Sequence, residues 1–287
     1  MKFDFKKNMT LTCFKLLLKK ELFSLYNDDE IQVIFFELIE NFLKISKIEY
    51  LTKCDKIILD NDINILKNKI IDLKANKPLQ YVVGKKKIFD ITFQLNEKVL
   101  IPRPETEELC SWIISYNLSK INILDIGTGS GLIALVLKKK LKNCKVEAWD
   151  SSIEAIETAK LNAINNKIDI SFLLCDIFKA EIPTNKFNLI VSNPPYVSYD
   201  DYENIHERVK KYEPNNAIFV NNKDVLIYYK CIIQKASLSL AKNGLIFFEC
   251  NHINIDMVNE ILINHNFKNI EIRNDYRGLK RMIKAQK

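Results

Sequence analysis

The chain has 287 residues, 47% apolar and 28% charged, with a formal net charge of +7. That balance excludes a disordered, collagenous or low-complexity chain. No apolar run approaches the roughly 20 residues of a bilayer span. The run MKFDFKKNMTLTCF has no continuous apolar stretch and no small-residue cleavage site, so a secretory leader is not expected and the protein reads as cytoplasmic.

The composition leans strongly to Lys, Ile and Asn, with only 6 Gly and 7 Pro. In such a background a Gly, Pro or Arg marks a position where Lys or Asn will not serve. The positive charge would suit a polyanion, but no Arg-rich or Lys/aromatic stripe accompanies it, so it reads as Lys spread over ordinary surface. The 7 Cys and 3 His include no C-x-x-C pair. Free thiols in a reducing compartment are expected, with no metal site.

Residues 1–76 read as helices. Leu11, Phe14, Leu18, Leu22 and Leu25 recur at helical spacing, as do Ile31 to Ile45 after the acidic start Asp28-Asp29-Glu30. Ile63, Leu66, Ile70 and Leu73 follow the cap candidates Asp60-Asn61-Asp62. Residues 77–104 read as a β-hairpin linker, with Asn96-Glu97 turning the chain between Ile88–Leu95 and Lys98–Ile101. Residues 105–287 form the third part. After a helix over Glu105–Tyr116, strands at 121–126, 145–149, 170–174, 187–191 and 245–249 alternate with helices at 132–140, 152–165 and 224–241. The alternation predicts an α/β fold, Rossmann-like, with a mostly parallel sheet covered on both faces and ligands at the strands' carboxyl ends.

Three of the six glycines fall in Asp125-Ile126-Gly127-Thr128-Gly129-Ser130-Gly131, between a strand and a helix. A tight turn would need one glycine; three predict close backbone approach to a ligand. Leu132 stands where the dinucleotide fingerprint G-x-G-x-x-G carries its last Gly or Ala, so the run is not that fingerprint. The run resembles motif I of class I S-adenosylmethionine-dependent methyltransferases. Asp150, ending the next strand, is placed to accept hydrogen bonds from ribose hydroxyls. The resemblance puts Asp176 and Ile177 against the adenine, although the family usually has an aromatic residue where Ile177 stands.

Asn193-Pro194-Pro195-Tyr196 follows the fourth strand. It resembles the motif of methyltransferases acting on planar amino or amide nitrogens. The lone pair of such a nitrogen is delocalised, so it is a poor nucleophile. The Asn193 side-chain oxygen and the Pro194 carbonyl can accept its two N–H bonds, two prolines hold those acceptors in fixed directions, and Tyr196 can stack on the planar group. Catalysis is then mainly positioning for in-line attack.

Wider similarity narrows the acceptor. Pro78–Gly84, the run Leu100-Ile101-Pro102-Arg103-Pro104-Glu105-Thr106-Glu107, Glu213-Pro214, Asn243-Gly244 with Glu249, and Asp275–Arg281 are similar to the release factor glutamine methyltransferases, in order over about residues 60–284. The resemblance implies methyl transfer from S-adenosyl-L-methionine to the side-chain N5 of the Gly-Gly-Gln glutamine of class I peptide chain release factors. It implies a helical amino-terminal docking domain and a monomer with no membrane or stable nucleic-acid partner. It assigns Asn193, Pro194, Pro195 and Tyr196 to the substrate, with Asn193, Pro194 and Tyr196 catalytic. It assigns Gly127, Thr128, Gly129, Ser130, Gly131, Asp150, Asp176, Ile177 and Asn193 to the cofactor. Arg103 shapes the pocket or pairs with Glu105 or Glu107. The family often carries E-x-G-x-x-Q where this chain has Glu249–Asn254; that run is expected to lie away from the chemistry. The rival readings are an RNA or DNA amino-group methyltransferase and a non-catalytic release-factor or ribosome scaffold.

Overall fold

The computed structural model describes residues 8–220 and 223–287. They divide into two compact units, one ending at Gly84 and one beginning at Lys85.

The first unit is helical. α1 (Leu11–Leu22) is capped by the Thr10 hydroxyl and buries Leu11, Phe14, Leu18 and Leu22. α2 (Asp28–Leu38) begins in a capping box between Asn27 and Glu30 and buries Ile31, Ile34, Phe35 and Leu38. The uninterrupted helix expected to Ile45 instead widens into a π-helical turn over Ile39–Leu43. There Asn41 Nδ2 donates to the Glu37 carbonyl at 2.8 Å, and Lys44 at φ 59° ends the segment. α3 (Lys47–Thr52), α4 (Asp60–Lys74) and α5 (Leu79–Val83) complete the unit. α3 and α5 are too short to show periodicity.

The second unit opens with a hairpin of β1 (Lys85–Ile88) and β2 (Ile91–Gln94). Its turn is Phe89-Asp90, both at positive φ, not Asn96-Glu97. Lys98–Ile101 pairs with no strand; Asn96 Oδ1 accepts from Lys98 N at 2.8 Å and makes a local turn instead. The chain continues through α6 (Pro104–Ser115), β3 (Asn122–Ile126), α7 (Leu132–Lys140), β4 (Lys145–Asp150), α8 (Ile153–Asn166), β5 (Ser171–Leu174), β6 (Phe187–Ser192), β7 (Val197–Ser198), α9 (Glu207–Tyr212) and β8 (Phe219–Val220). It ends with α10 (Ile227–Ser239), β9 (Leu240–Glu249), α11 (Ile255–Asn264), β10 (Lys268–Asn274) and β11 (Lys280–Gln286). Asn243-Gly244, a pair whose chemistry suits a helix end, does not cap α10. The helix stops at Ser239, Leu240 already pairs with Phe187, and the ladder resumes at Leu189 with Leu245. The Asn-Gly pair forms a bulge inside β9.

The main sheet has the order β10-β11-β9-β6-β3-β4-β5, with β11 antiparallel to its neighbours. Both faces are covered, and adjacent residues of β9 show it: Phe247 meets Trp112 of α6 edge-on at 5.1 Å, while Phe248 meets Tyr229 of α10 at 5.3 Å. From β3 the chain runs outward through β4 and β5, then returns to β6 on the other side. The crevice at the carboxyl ends of β3 and β6 is a topological switch point.

Candidate active site

The loop after β3 is stitched to the end of β4. Gly127 N and Thr128 N both donate to the Trp149 carbonyl, at 2.8 and 3.0 Å. Gly129 and Gly131 lie at φ 55° and 84°, where a side chain would be strained. Their surroundings differ. A Cβ on Gly131 would sit 2.7 Å from Leu135 Cδ1 and 3.2 Å from Ala159 Cβ, so this glycine lets α7 and α8 pack. A Cβ on Gly127 or Gly129 would meet nothing within 4 Å and would enter the cavity that both residues line.

Asp125, one residue before the strand's end, is fully buried. Its Oδ2 accepts from the Thr128 hydroxyl at 2.7 Å and from Ala134 N at 3.2 Å, which ties the loop to the first turn of α7. Its Oδ1 has no partner. Burial pushes its pKa up to about 7, against those two hydrogen bonds.

Asp150 closes β4. Oδ2 accepts from Gly129 N and Oδ1 from Ser152 N, each at 2.9 Å. The two bonds fix the carboxylate, and each oxygen keeps a lone pair for a further donor. Burial raises its pKa and the backbone donors lower it. After β5, Asp176 Oδ1 accepts from Phe178 N at 3.0 Å. Ile177 is buried in the core beneath the cavity wall that it also lines. Besides Trp149 of β4, the aromatic lining includes two residues that sequence reasoning did not assign to the site: Phe178 and Tyr228 of α10, which pack at 4.9 Å.

At the end of β6, Ser192 Oγ donates to the Ile126 carbonyl at 2.7 Å and bridges the switch point. Asn193, Pro194 and Pro195 line the cavity opposite the glycine loop, and Pro194 is buried. Asn193 Nδ2 donates to Thr106 Oγ1 at 3.1 Å, and Thr106 donates to Glu249 Oε2 at 2.6 Å. Among the described residues nothing donates to Asn193 Oδ1. Tyr196 does not line the cavity; its hydroxyl donates to Glu249 Oε1 at 3.4 Å, and burial drives its pKa far up.

Glu249 was expected to lie away from the chemistry. It is instead buried behind Asn193 and joined to it through Thr106. Burial pushes its pKa up to about 7, while the Thr106 hydroxyl and the Arg281 guanidinium pull it down. The sequence marked Glu249 only as part of the family similarity; its place behind Asn193 follows from where β9 lies beside α6.

The strap Val99–Arg103 covers one side of the cavity. Arg103 pairs with neither Glu105 nor Glu107. Its Nη2 donates to Glu213 Oε1 at 2.6 Å, and Ile101 N donates to Glu213 Oε2 at 3.2 Å. Glu213 follows α9 and is buried, so one carboxylate holds both ends of the Ile101-Pro102-Arg103 segment. The cavity has a volume of about 300 Å³.

Comparison with known proteins shows the family. Residues 109–212 match the family described as methyltransferase small domain. The release factor glutamine methyltransferase of Flavobacterium psychrophilum is 41% identical over 92% of this chain and 94% of its own length. That of Lactococcus lactis is 36% identical over 86% of this chain and 91% of its own. A solved methyltransferase from Pyrococcus furiosus has a TM-score of 0.51 over 79% of this chain and 98% of its own, at 19% identity, and shares the fold. With a glycine cradle and an Asn-Pro-Pro shelf facing each other across the switch point of a class I methyltransferase sheet, the chain belongs to the release factor glutamine methyltransferase family.

Proposed function

We propose that the protein transfers a methyl group from S-adenosyl-L-methionine to the side-chain N5 of the glutamine in the Gly-Gly-Gln motif of class I peptide chain release factors, in support of translation termination. The observation that carries this reading is the pairing of Asn193 Oδ1, which takes no donor among the described residues, with the Pro194-Pro195 backbone that lines the same cavity as the glycine loop.

The residues present fit the cofactor. The open Cβ directions of Gly127 and Gly129 leave backbone room for its amino-acid end. Asp150 keeps a lone pair on each oxygen for ribose hydroxyls, and Asp176, Ile177, Phe178 and Tyr228 offer a mostly apolar wall for the purine. When bound, the cofactor supplies an electrophilic methyl on a sulfonium sulfur.

The chain's own contribution is orientation. Asn193 Oδ1 and the Pro194 carbonyl accept the two N–H bonds of the glutamine carboxamide and aim its nitrogen. Both are acceptors of low basicity, so the site positions the nucleophile and leaves its proton to depart after transfer. The strap held by Glu213 keeps water from that side of the cavity. The helical unit to Gly84 docks the release factor, as the family resemblance implies.

The test uses radiolabelled S-adenosylmethionine, a purified release factor, and the same factor with its loop glutamine replaced. Label in the unaltered factor alone is expected. Label in both factors, or in added RNA with neither factor labelled, rejects the acceptor.

A further inference from the structure

A carboxamide can point either end toward a substrate, and the two ends have opposite hydrogen-bonding sense. Asn193 must present oxygen if it is to accept from an amide N–H. What sets its orientation lies behind it. Thr106 Oγ1 has one proton, and Glu249 Oε2 takes it at 2.6 Å. The hydroxyl oxygen can then only accept, and it accepts from Asn193 Nδ2 at 3.1 Å. Turning the Asn193 amide over would bring its oxygen against an oxygen that has no proton to offer.

We propose, resting on the acceptor reading above, that Thr106 and Glu249 are positioning residues for methyl transfer: the ionised Glu249 carboxylate holds the Thr106 proton, and Thr106 thereby locks Asn193 with its oxygen toward the substrate. Protonated Glu249 reverses the chain of donors. Its own O–H then points at Thr106 Oγ1, the Thr106 proton swings to Asn193, and the amide turns its NH2 toward the substrate, where it repels the N–H it should accept.

The carboxylate that holds this state is poised to change. It is buried, and its pKa stands at about 7. Glu105 on α6 raises it, while Arg281 on β11 and the Thr106 and Tyr196 hydroxyls lower it. Arg281 is itself held by Asp275 and the Cys250 carbonyl, each at 3.3 Å. Cys110 on α6, Tyr229 on α10 and Cys250 just after β9 also face it; burial holds all three neutral in the neutral pH range. Asp125, just before the glycine loop, also stands at about 7, but it bonds Thr128 and Ala134 rather than Thr106. Glu249 is therefore the group bonded to Thr106 that changes charge there, and the competent orientation is lost as pH falls through about 7.

The experiment compares wild type with Thr106→Val, Thr106→Ser and Glu249→Gln. Thr106→Val should lower kcat about a hundredfold, the scale of a misaligned reactive group, with KM for the release factor and cofactor affinity nearly unchanged. Thr106→Ser, which restores the hydroxyl, should recover most of the rate. Glu249→Gln should lose the acidic limb of the kcat–pH profile. In parallel, the Asn193 side-chain amide is followed by NMR from acidic to mildly alkaline pH. In wild type it should titrate with a midpoint near 7, and in Thr106→Val and Glu249→Gln it should not. A Thr106→Val enzyme at wild-type kcat, a loss confined to KM, or an Asn193 amide indifferent to pH overturns the relay. A wild-type protein whose Asn193 amide titrates as described, but which leaves release factor unlabelled, upholds the relay and rejects only the acceptor.

Discussion

At the scale of single residues, Asp125 and the glycines beside it show how the cradle is stabilised against its own cost. The acid's ordinary pKa is 3.8, and in the folded protein it stands at about 7. The folded state therefore holds a proton that the unfolded chain releases between those values. The contribution to stability is full below 3.8 and is lost as pH rises through about 7. Asp125→Asn keeps an acceptor for Thr128 and Ala134 and removes the charge. It should raise the melting temperature at pH 8, by the equivalent of a few kcal/mol, and the gain should vanish in acid; thermal melts across pH check it. The neighbouring glycines should separate by phenotype. Gly131→Ala drives a methyl into Leu135 and Ala159 and should cost about 1–3 kcal/mol of stability. Gly129→Ala keeps the strain of its positive φ but meets open space, so beside a stability cost of about 1 kcal/mol it should lose cofactor affinity, read by calorimetry. The sequence shows three glycines at a strand end, but not which one packs and which one faces the ligand, because that depends on where α8 lies.

At the scale of elements, α8 does a strand's work for the β1–β2 hairpin. Asn162 accepts from Gln94 N at 2.7 Å and donates to the Gln94 carbonyl at 3.2 Å; Asn166 does the same for Thr92, at 3.0 and 2.9 Å. Two amides one helical turn apart thus cover the edge of β2. Asn162 Nδ2 also reaches the Ser130 carbonyl at 2.9 Å, so the same side chain braces the glycine loop. Asn162→Ala would leave these buried backbone groups unpaired and should cost about 2–3 kcal/mol, measured by urea unfolding. In a chain so rich in Asn, nothing in the sequence distinguishes these two residues from their neighbours. The hairpin itself was legible, but its turn was misplaced. Asn96-Glu97 looks like a turn and makes one, whereas Phe89-Asp90 turns the strands in spite of an aromatic residue at positive φ.

At the scale of the whole molecule, the two units have separate cores. The first is built on Phe14, Phe35 and the leucines of α1 and α4, and the second on the inward faces of the main sheet. Every residue lining the cavity lies at or beyond Lys98. A protein cut to residues 85–287 should therefore bind S-adenosylmethionine within about threefold of the full chain, roughly 0.6 kcal/mol. If the helical unit docks the release factor, the cut protein should methylate it with a much higher KM. Calorimetry and steady-state kinetics measure the two effects.

By itself the sequence determined the alternation of strands and helices, the glycine loop, the acidic residue ending the next strand and the Asn-Pro-Pro-Tyr run. These depend on local periodicity and on backbone conformations that only Gly and Pro supply. Tertiary structure alone decided which side chains stand behind them. Glu213 holding the strap, Thr106 and Glu249 behind Asn193, and Tyr228 beside Phe178 join residues far apart in the chain. Such pairings arise from sheet order and helix packing, and a lone Glu, Thr or Tyr in a sequence leaves no mark of the neighbour that folding will bring to it.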